Sequence, residues 1–218
     1  MADVTWDHWW WRPGWRMGRS FYTWHVTFGD DSPVGKLVAQ FAPVLREMPT
    51  MTPVVREGLH ITIQGVGFGD EVSDEDLDAI IAVARRRLAR SAAFEFEVGP
   101  PKVDEETVGM PVRDPGALEG VRAELRAAIG EVWGEEGVPE RGVSFTPHLS
   151  LAYSTGAASI SVMTEKIAAA GLEEVTATET VTAISLIELN RDARRYEWRE
   201  VVRVPLAGHR TAGEPGAE

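Results

Sequence analysis

The chain contains no cysteine. Disulfides, thiolate zinc sites and cysteine nucleophiles are thereby excluded. It has no apolar run of the roughly 18 residues that a membrane-spanning helix needs. Nor does it open like a secretory signal, because Asp3, Asp7, His8, Arg12 and Arg16 interrupt every apolar stretch near the start. The default expectation is a cytoplasmic protein with no membrane contact. Positive charge is in the minority: 22 Lys and Arg against 34 Asp and Glu give a formal net charge of −12. A long nucleic-acid duplex needs a basic surface that displaces counterions, so that partner is not expected. A small anion in a locally basic cleft is compatible with the charge. With 218 residues, 44% hydrophobic and 26% charged, the chain suits one domain or two small lobes sharing a core. Oligomeric state is not legible.

Aromatic residues are unevenly spread. Five of the eight tryptophans, Trp6, Trp9, Trp10, Trp11 and Trp15, fall in the segment 1–19. They cannot all stand in water without a large sticky patch. The first reading is a lid packed on the domain or on a second subunit; indoles are also stacking platforms for bases, and membrane contact is the third option. Arg12, Arg16 and Arg19 lie beside these rings, where a phosphate would find them.

Periodicity predicts a domain over residues 20–206. Strands are expected at Phe21–Phe28, Leu59–Val66, Phe94–Val98, Val108–Val112 and His148–Tyr153, with Val108–Val112 as partner to Phe94–Val98. Helices are expected at Val34–Met48, from Ser73 as N-cap to about Arg90, from Asp114-Pro115 to about Trp133, and over Ser159–Ala170 with Gly171 as C-cap. Arg85, Arg86, Arg87 and Arg90 complement the dipole at the end of the second helix. Pro49–Gly58 reads as a loop, Val181–Leu189 and Tyr196–Val204 as a hairpin around Asn190-Arg191-Asp192-Ala193, and 207–218 as a disordered tail. Strands and helices are interspersed but hairpins are present, which favours α+β. The His-bearing strands around Leu59–Gly67 and Pro147–Gly156 form a crude repeat, so two similar lobes facing a cleft are expected.

Four of the five histidines carry a hydroxyl residue two positions on: His25/Thr27, His60/Thr62, His148/Ser150 and His209/Thr211. The last lies in the polar tail and is set aside. In a strand, residues i and i+2 share a face, so each remaining pair presents imidazole and hydroxyl together. Imidazole exchanges a proton near neutral pH, and a hydroxyl donates to a phosphoryl oxygen. Two facing pairs supply an acid, a base and two oxyanion donors, enough for displacement at phosphorus without metal or other cofactor. Gln64 shares the face of His60 and Thr62. A metal site built from His25, His60 and His148 is disfavoured, because no His-x-x-x-His or Glu-x-x-His spacing accompanies it.

The strands Leu59-His60-Ile61-Thr62-Ile63 and Pro147-His148-Leu149-Ser150-Leu151 resemble the paired motifs of the 2H phosphoesterases, the superfamily of 2′-5′ RNA ligases and cyclic phosphodiesterases. The resemblance implies a bilobal, pseudo-two-fold α+β fold whose two antiparallel-rich sheets line a central cleft, with helices outside. It implies catalysis by His60, Thr62, His148 and Ser150, with no metal. Gln64, Tyr153 and His25 are the expected substrate contacts. Strand parity sets Tyr153 on the face opposite Ser150, so its role needs a turn at the strand end. His25 fits the motif locally, but no glycine loop follows it. The implied substrate is a 2′,3′-cyclic phosphate or 2′-5′ phosphodiester of a small nucleotide, sugar cyclic phosphate or RNA end, hydrolysed or, in reverse, ligated. The alternative is a non-catalytic module of the same fold that binds a nucleotide or RNA end.

Overall fold

The computed structural model describes residues 3–208. Positions 209–218 of the expected tail, with His209, lie outside the described residues. The first strand, β1 (Phe21–Thr27), joins β3 (His60–Phe68) on one side and β9 (Ala183–Asn190) on the other, and β10 (Glu197–Pro205) completes a four-stranded sheet in the order β10-β9-β1-β3. A second four-stranded sheet runs β2 (Met51–Pro53), β7 (His148–Ser154), β6 (Thr107–Pro111), β5 (Lys102–Val103). Every pairing within these sheets is antiparallel. Each sheet therefore carries one of the two motif strands, β3 with His60 and β7 with His148.

Among the described residues, four α-helices cover the sheets: α1 (Pro33–Arg46), α2 (Asp74–Leu88), α3 (Gly116–Trp133) and α4 (Ile160–Ala169). Their starts follow from local chemistry. Ser32 accepts from the Gly35 N–H, Ser73 from that of Asp76 and Ser159 from that of Val162, each satisfying a donor that the helix leaves free. The apolar stripe of α2 (Leu77, Ile80, Ile81, Ala84, Leu88) is buried, as is that of α3 (Leu118, Val121, Leu125, Ile129). Arg86 and Arg87 also bind Glu131, and Arg87 binds Glu124, so the basic end of α2 fastens it to α3 as well as matching its dipole. The sheet's inner face adds Trp24, Ile61, Ile63 and Leu186, all essentially without solvent contact.

Three local expectations are corrected. Strand β4 (Phe94–Val98) pairs with β8 (Ala177–Val181) in a separate two-stranded ribbon, and meets the β6 region only at one bridge, Val98 to Val112. Alternation selects the face a strand presents and leaves its partner open; β8, half polar, has little apolar signal of its own. Part of the expected loop 49–58 is strand β2, paired with the end of β7. Helix α3 begins one residue late: Pro115 occupies the cap position, and Asp114 accepts from the Gly116 N–H at 3.3 Å.

Candidate active site

His60 and His148 are each the first residue of a strand, and each is held in the same way. Their Nδ1–H groups donate to the carbonyl two residues back, Gly58 at 2.8 Å and Thr146 at 3.0 Å. That bond leaves Nε2 of both rings free for a ligand. Both imidazoles, with Thr62 and Ser150, line one cavity of about 480 Å3, a size suited to a nucleotide. The two pairs read from the sequence therefore converge.

The surroundings of the two rings differ. His60 stacks on His25 at 4.4 Å and 7°, and meets the edges of Trp198 and Tyr196 at 5.3 and 5.8 Å. Burial pushes His60 down to about 4; the Gly58 carbonyl pulls the other way, and His148 adds to the lowering. His148 is exposed at the strand start.

His25 lines the same cavity but is only 1% exposed. Its Nε2 lies 3.2 Å from the Thr62 hydroxyl, and its Nδ1 has no partner among the described residues. A buried orphan N–H is a rarer and costlier state than an orphan lone pair, so the hydrogen belongs on Nε2 and is donated to Thr62. That leaves the Thr62 hydrogen for a ligand. Burial, then the nearby His60, holds the pKa of His25 well below the usual histidine value.

Two β-bulges decide the remaining expected contacts. In β7, Gly109 faces Ser150 while Val108 faces Ala152, so Leu151 is an extra residue. The inserted residue reverses parity, and Tyr153 joins Ser150 and Thr107 in lining the cavity, without a turn at the strand end. In β3, His25 faces Thr62 while Trp24 faces Gln64, so Ile63 is extra. Here the reversal removes a residue. Gln64 turns to the Trp24 side, fully buried, where its amide donates to the Gly65 carbonyl and its oxygen accepts from Arg126 of α3 at 3.1 Å. Gln64 is thus a structural group beneath the site, correcting its expected place in the cleft.

The tryptophan-rich segment forms a wall of the cavity. Thr5, Trp6 and His8 donate backbone N–H groups to Ala158, Glu105 and Ser154, on the side of the second sheet. Gly18 donates to Asp192, in the β9–β10 hairpin of the first. The segment thus crosses from one lobe to the other. Glu106 anchors it, accepting from Trp6 Nε1, Trp10 Nε1, His8 Nδ1 and Arg12. Burial would raise the carboxyl, but these donors, with the Arg12 charge, hold it at about 2. His8 is 6% exposed; burial pushes it to about 4 despite Glu106, so the neutral Nε2 accepts from the Tyr196 hydroxyl at 2.9 Å. Its ring stacks on Tyr153 at 4.3 Å. Trp9 is buried, whereas Trp6, Trp10 and Trp11 remain nearly half exposed.

His8, Arg12, Trp15, Thr107, Arg191 and Tyr196 all line the cavity. Of these, the sequence drew attention only to Arg12 and Trp15, through the aromatic cluster. Arg16 and Arg19 bind Asp70, and Arg19 also Glu71, away from the cavity. Arg191 sits at the hairpin end, and nothing local marks it as more than a turn residue. Among the described residues, no group of three or more His, Cys, Asp or Glu is placed to hold a metal ion. No helix there is long and apolar enough to cross a membrane.

Known proteins match this arrangement at the level of family and fold. No curated protein matches the sequence. Among solved structures, TT0787 of Thermus thermophilus superposes with a TM-score of 0.67 at 18% identity, covering 87% of this chain and 100% of its own. E. coli LigT in apo form gives 0.61 at 14% identity, covering 87% of this chain and 98% of its own. E. coli LigT complexed with 3′-AMP gives 0.62 at 16%, covering 86% and 98%. The sequence model of the 2′-5′ RNA ligase superfamily matches residues 30–193, a span that contains both His-bearing strands. That span covers most of the chain and includes the halves of the cleft on which both histidines sit, so the protein belongs to the 2′-5′ RNA ligase superfamily and has its phosphoesterase fold.

Proposed function

We propose that the cleft is a metal-independent phosphoesterase site for a 2′,3′-cyclic phosphate or a 2′-5′ phosphodiester on a nucleotide, sugar or RNA end. The observation that carries this reading is the matched pair of imidazoles, each fixed through Nδ1 and each offering Nε2 to one cavity. Family membership supports the reaction class, and LigT structures complexed with 3′-AMP and with phosphate support ligands of this size.

The difference between the rings divides the labour. His60, held near 4, enters neutral at pH 7 and accepts the proton of the attacking water. The water oxygen bonds to phosphorus as one bond from phosphorus to a ribose oxygen breaks. His148 delivers a proton to that departing oxygen. Thr62, supplied with a hydrogen bond by His25, and Ser150 donate to the nonbridging oxygens where charge develops. In the ligation direction a ribose hydroxyl replaces the water.

The test is a panel of nucleoside 2′,3′-cyclic phosphates, 2′-5′-linked dinucleotides and sugar cyclic phosphates, assayed with EDTA present. Turnover of at least one class, unaffected by chelation, is the expected result. Tight binding without turnover would replace the reading with a binding module; activity that dies in EDTA and returns with zinc would replace it with a metal enzyme.

A further inference from the structure

Arg191 is a cation of the cavity that the proposed reaction does not use. It is 3% exposed, and a buried charge normally has a partner of opposite sign. Arg12, the other arginine of the cavity, has one in Glu106. Arg191 has none among the described residues. Its hydrogen bonds run from one nitrogen, Nη2, to the carbonyls of His8 and Trp10 at 3.1 and 3.3 Å. Three aromatic rings, Trp9, Trp15 and Tyr196, surround its Cζ at 5.5, 5.6 and 5.9 Å. These contacts hold the guanidinium in place and shield it from water. They leave Nε and Nη1 without partners while the residue lines the cavity. An arginine held rigidly, desolvated and half satisfied is suited to phosphate, whose oxygens match its planar fork.

Arg191 shares the cavity with the histidine pair. Tyr196 touches both: its ring lies 5.8 Å from that of His60 and 5.9 Å from the Arg191 Cζ. Among the described residues, no hydrogen bond of Arg191 reaches His60, Thr62, His148 or Ser150. We infer that Arg191 forms a second phosphate subsite, and that the favoured substrate carries another phosphate besides the one that reacts. This rests on the phosphoesterase reading and narrows it: nucleotides with a 5′-phosphate and RNA ends are preferred over nucleosides bearing only the cyclic phosphate.

The experiment compares kcat/KM for adenosine 2′,3′-cyclic phosphate, the same compound with a 5′-phosphate, and a dinucleotide ending in a 2′,3′-cyclic phosphate. The wild-type protein should prefer one or both of the last two by about tenfold or more, the scale of a charge-assisted contact. Gain with the 5′-phosphate alone assigns free nucleotides; gain with the dinucleotide assigns RNA ends. Arg191→Met should bring the ratio close to one, and Arg191→Lys should lie between. A purely structural tie to His8 and Trp10 would lower all three rates together and leave the ratio untouched, which overturns the inference. So does a wild-type ratio near one, whether or not Arg191→Met folds. If that variant fails to fold, an unchanged ratio in Arg191→Lys overturns it equally. Should no cyclic phosphate turn over, the phosphoesterase reading fails separately. Calorimetry with adenosine 3′,5′-bisphosphate and adenosine 3′-phosphate then decides the subsite: about tenfold tighter binding of the bisphosphate supports it, and equal binding ends it.

Discussion

His60 and His148 open their strands in the same manner, each giving Nδ1–H to a carbonyl two residues back. Beyond that shared contact they part. His60 is packed by His25, Tyr196 and Trp198 and held near 4, while His148 stands exposed. Local repetition thus supplies two equivalent groups, and unequal packing makes them unlike. Two titratable groups in contrasting environments are a recurrent way of dividing acid from base. The contrast also explains why a bare motif does not reveal which ring takes the proton.

The largest effect that would break this comparison is loss of either ring. His60→Ala and His148→Ala should each lower kcat/KM on a cyclic nucleotide by at least about a hundredfold, with circular dichroism and melting showing the fold retained. If one of them keeps near-full activity, the two-ring mechanism is wrong.

The next is the pH response. With His60 as base, kcat/KM should fall as pH drops through about 4, the value of the free protein. Stability should respond over a wider window. His8 and His60 sit near 4 in the fold, below the roughly 6.5 of an unfolded histidine. Between those values the unfolded chain binds more protons, so stability is complete above about 6.5 and is lost as pH falls towards 4. At about 1.4 kcal/mol per pKa unit, two such groups contribute a few kcal/mol. Urea melts at a series of pH values should show this slope, and His8→Asn should flatten it.

A smaller effect concerns the anchor between the lobes. Glu106→Gln removes the charge that Trp6, Trp10, His8 and Arg12 converge upon. It should cost about 1–3 kcal/mol, read as a lower Tm, and raise KM because His8 and Arg12 form part of the cavity wall. An unchanged Tm and KM would mean that the segment holds its place without Glu106.

The smallest sharpens the contrast between the bulges. Tyr153→Phe should raise KM a few-fold, since its ring and hydroxyl belong to the cavity wall. Gln64→Leu should lower Tm, since Arg126 loses one of its two acceptors and keeps only the Pro139 carbonyl, with KM unaltered. The reverse assignment of effects would show that parity is not broken as the registers indicate.

How far the sequence could be read follows the range of the forces involved. Helix starts rest on contacts within four residues, and Ser73 and Ser159 announced theirs; a paired motif is local to each strand, and both His-x-Thr/Ser strands were legible, as was the α+β class. A bulge is different. Nothing in the run Ile61–Gly65 or Ser150–Tyr153 marks the inserted residue, because the extra position exists only relative to the strand beside it. That is why Gln64 was expected in the cleft, and why Tyr153 was expected to reach it only through a turn at the strand end. The pairing of β4 with β8 is hidden for the same reason, since alternation names a face and no partner.

By itself, then, the sequence determined the four helices and the longer strands, which strands carry histidine with a hydroxyl on the same face, and that no thiol takes part. Tertiary structure decided which of those side chains meet. It brought His8, Arg12, Glu106, Arg191 and Tyr196 together from three separated stretches of chain, and it half-buried one histidine of the pair among aromatic rings while leaving the other exposed. The physical reason is that desolvation and charge pairing depend on every neighbour within a few ångströms, whereas the chain order records only the neighbours along it.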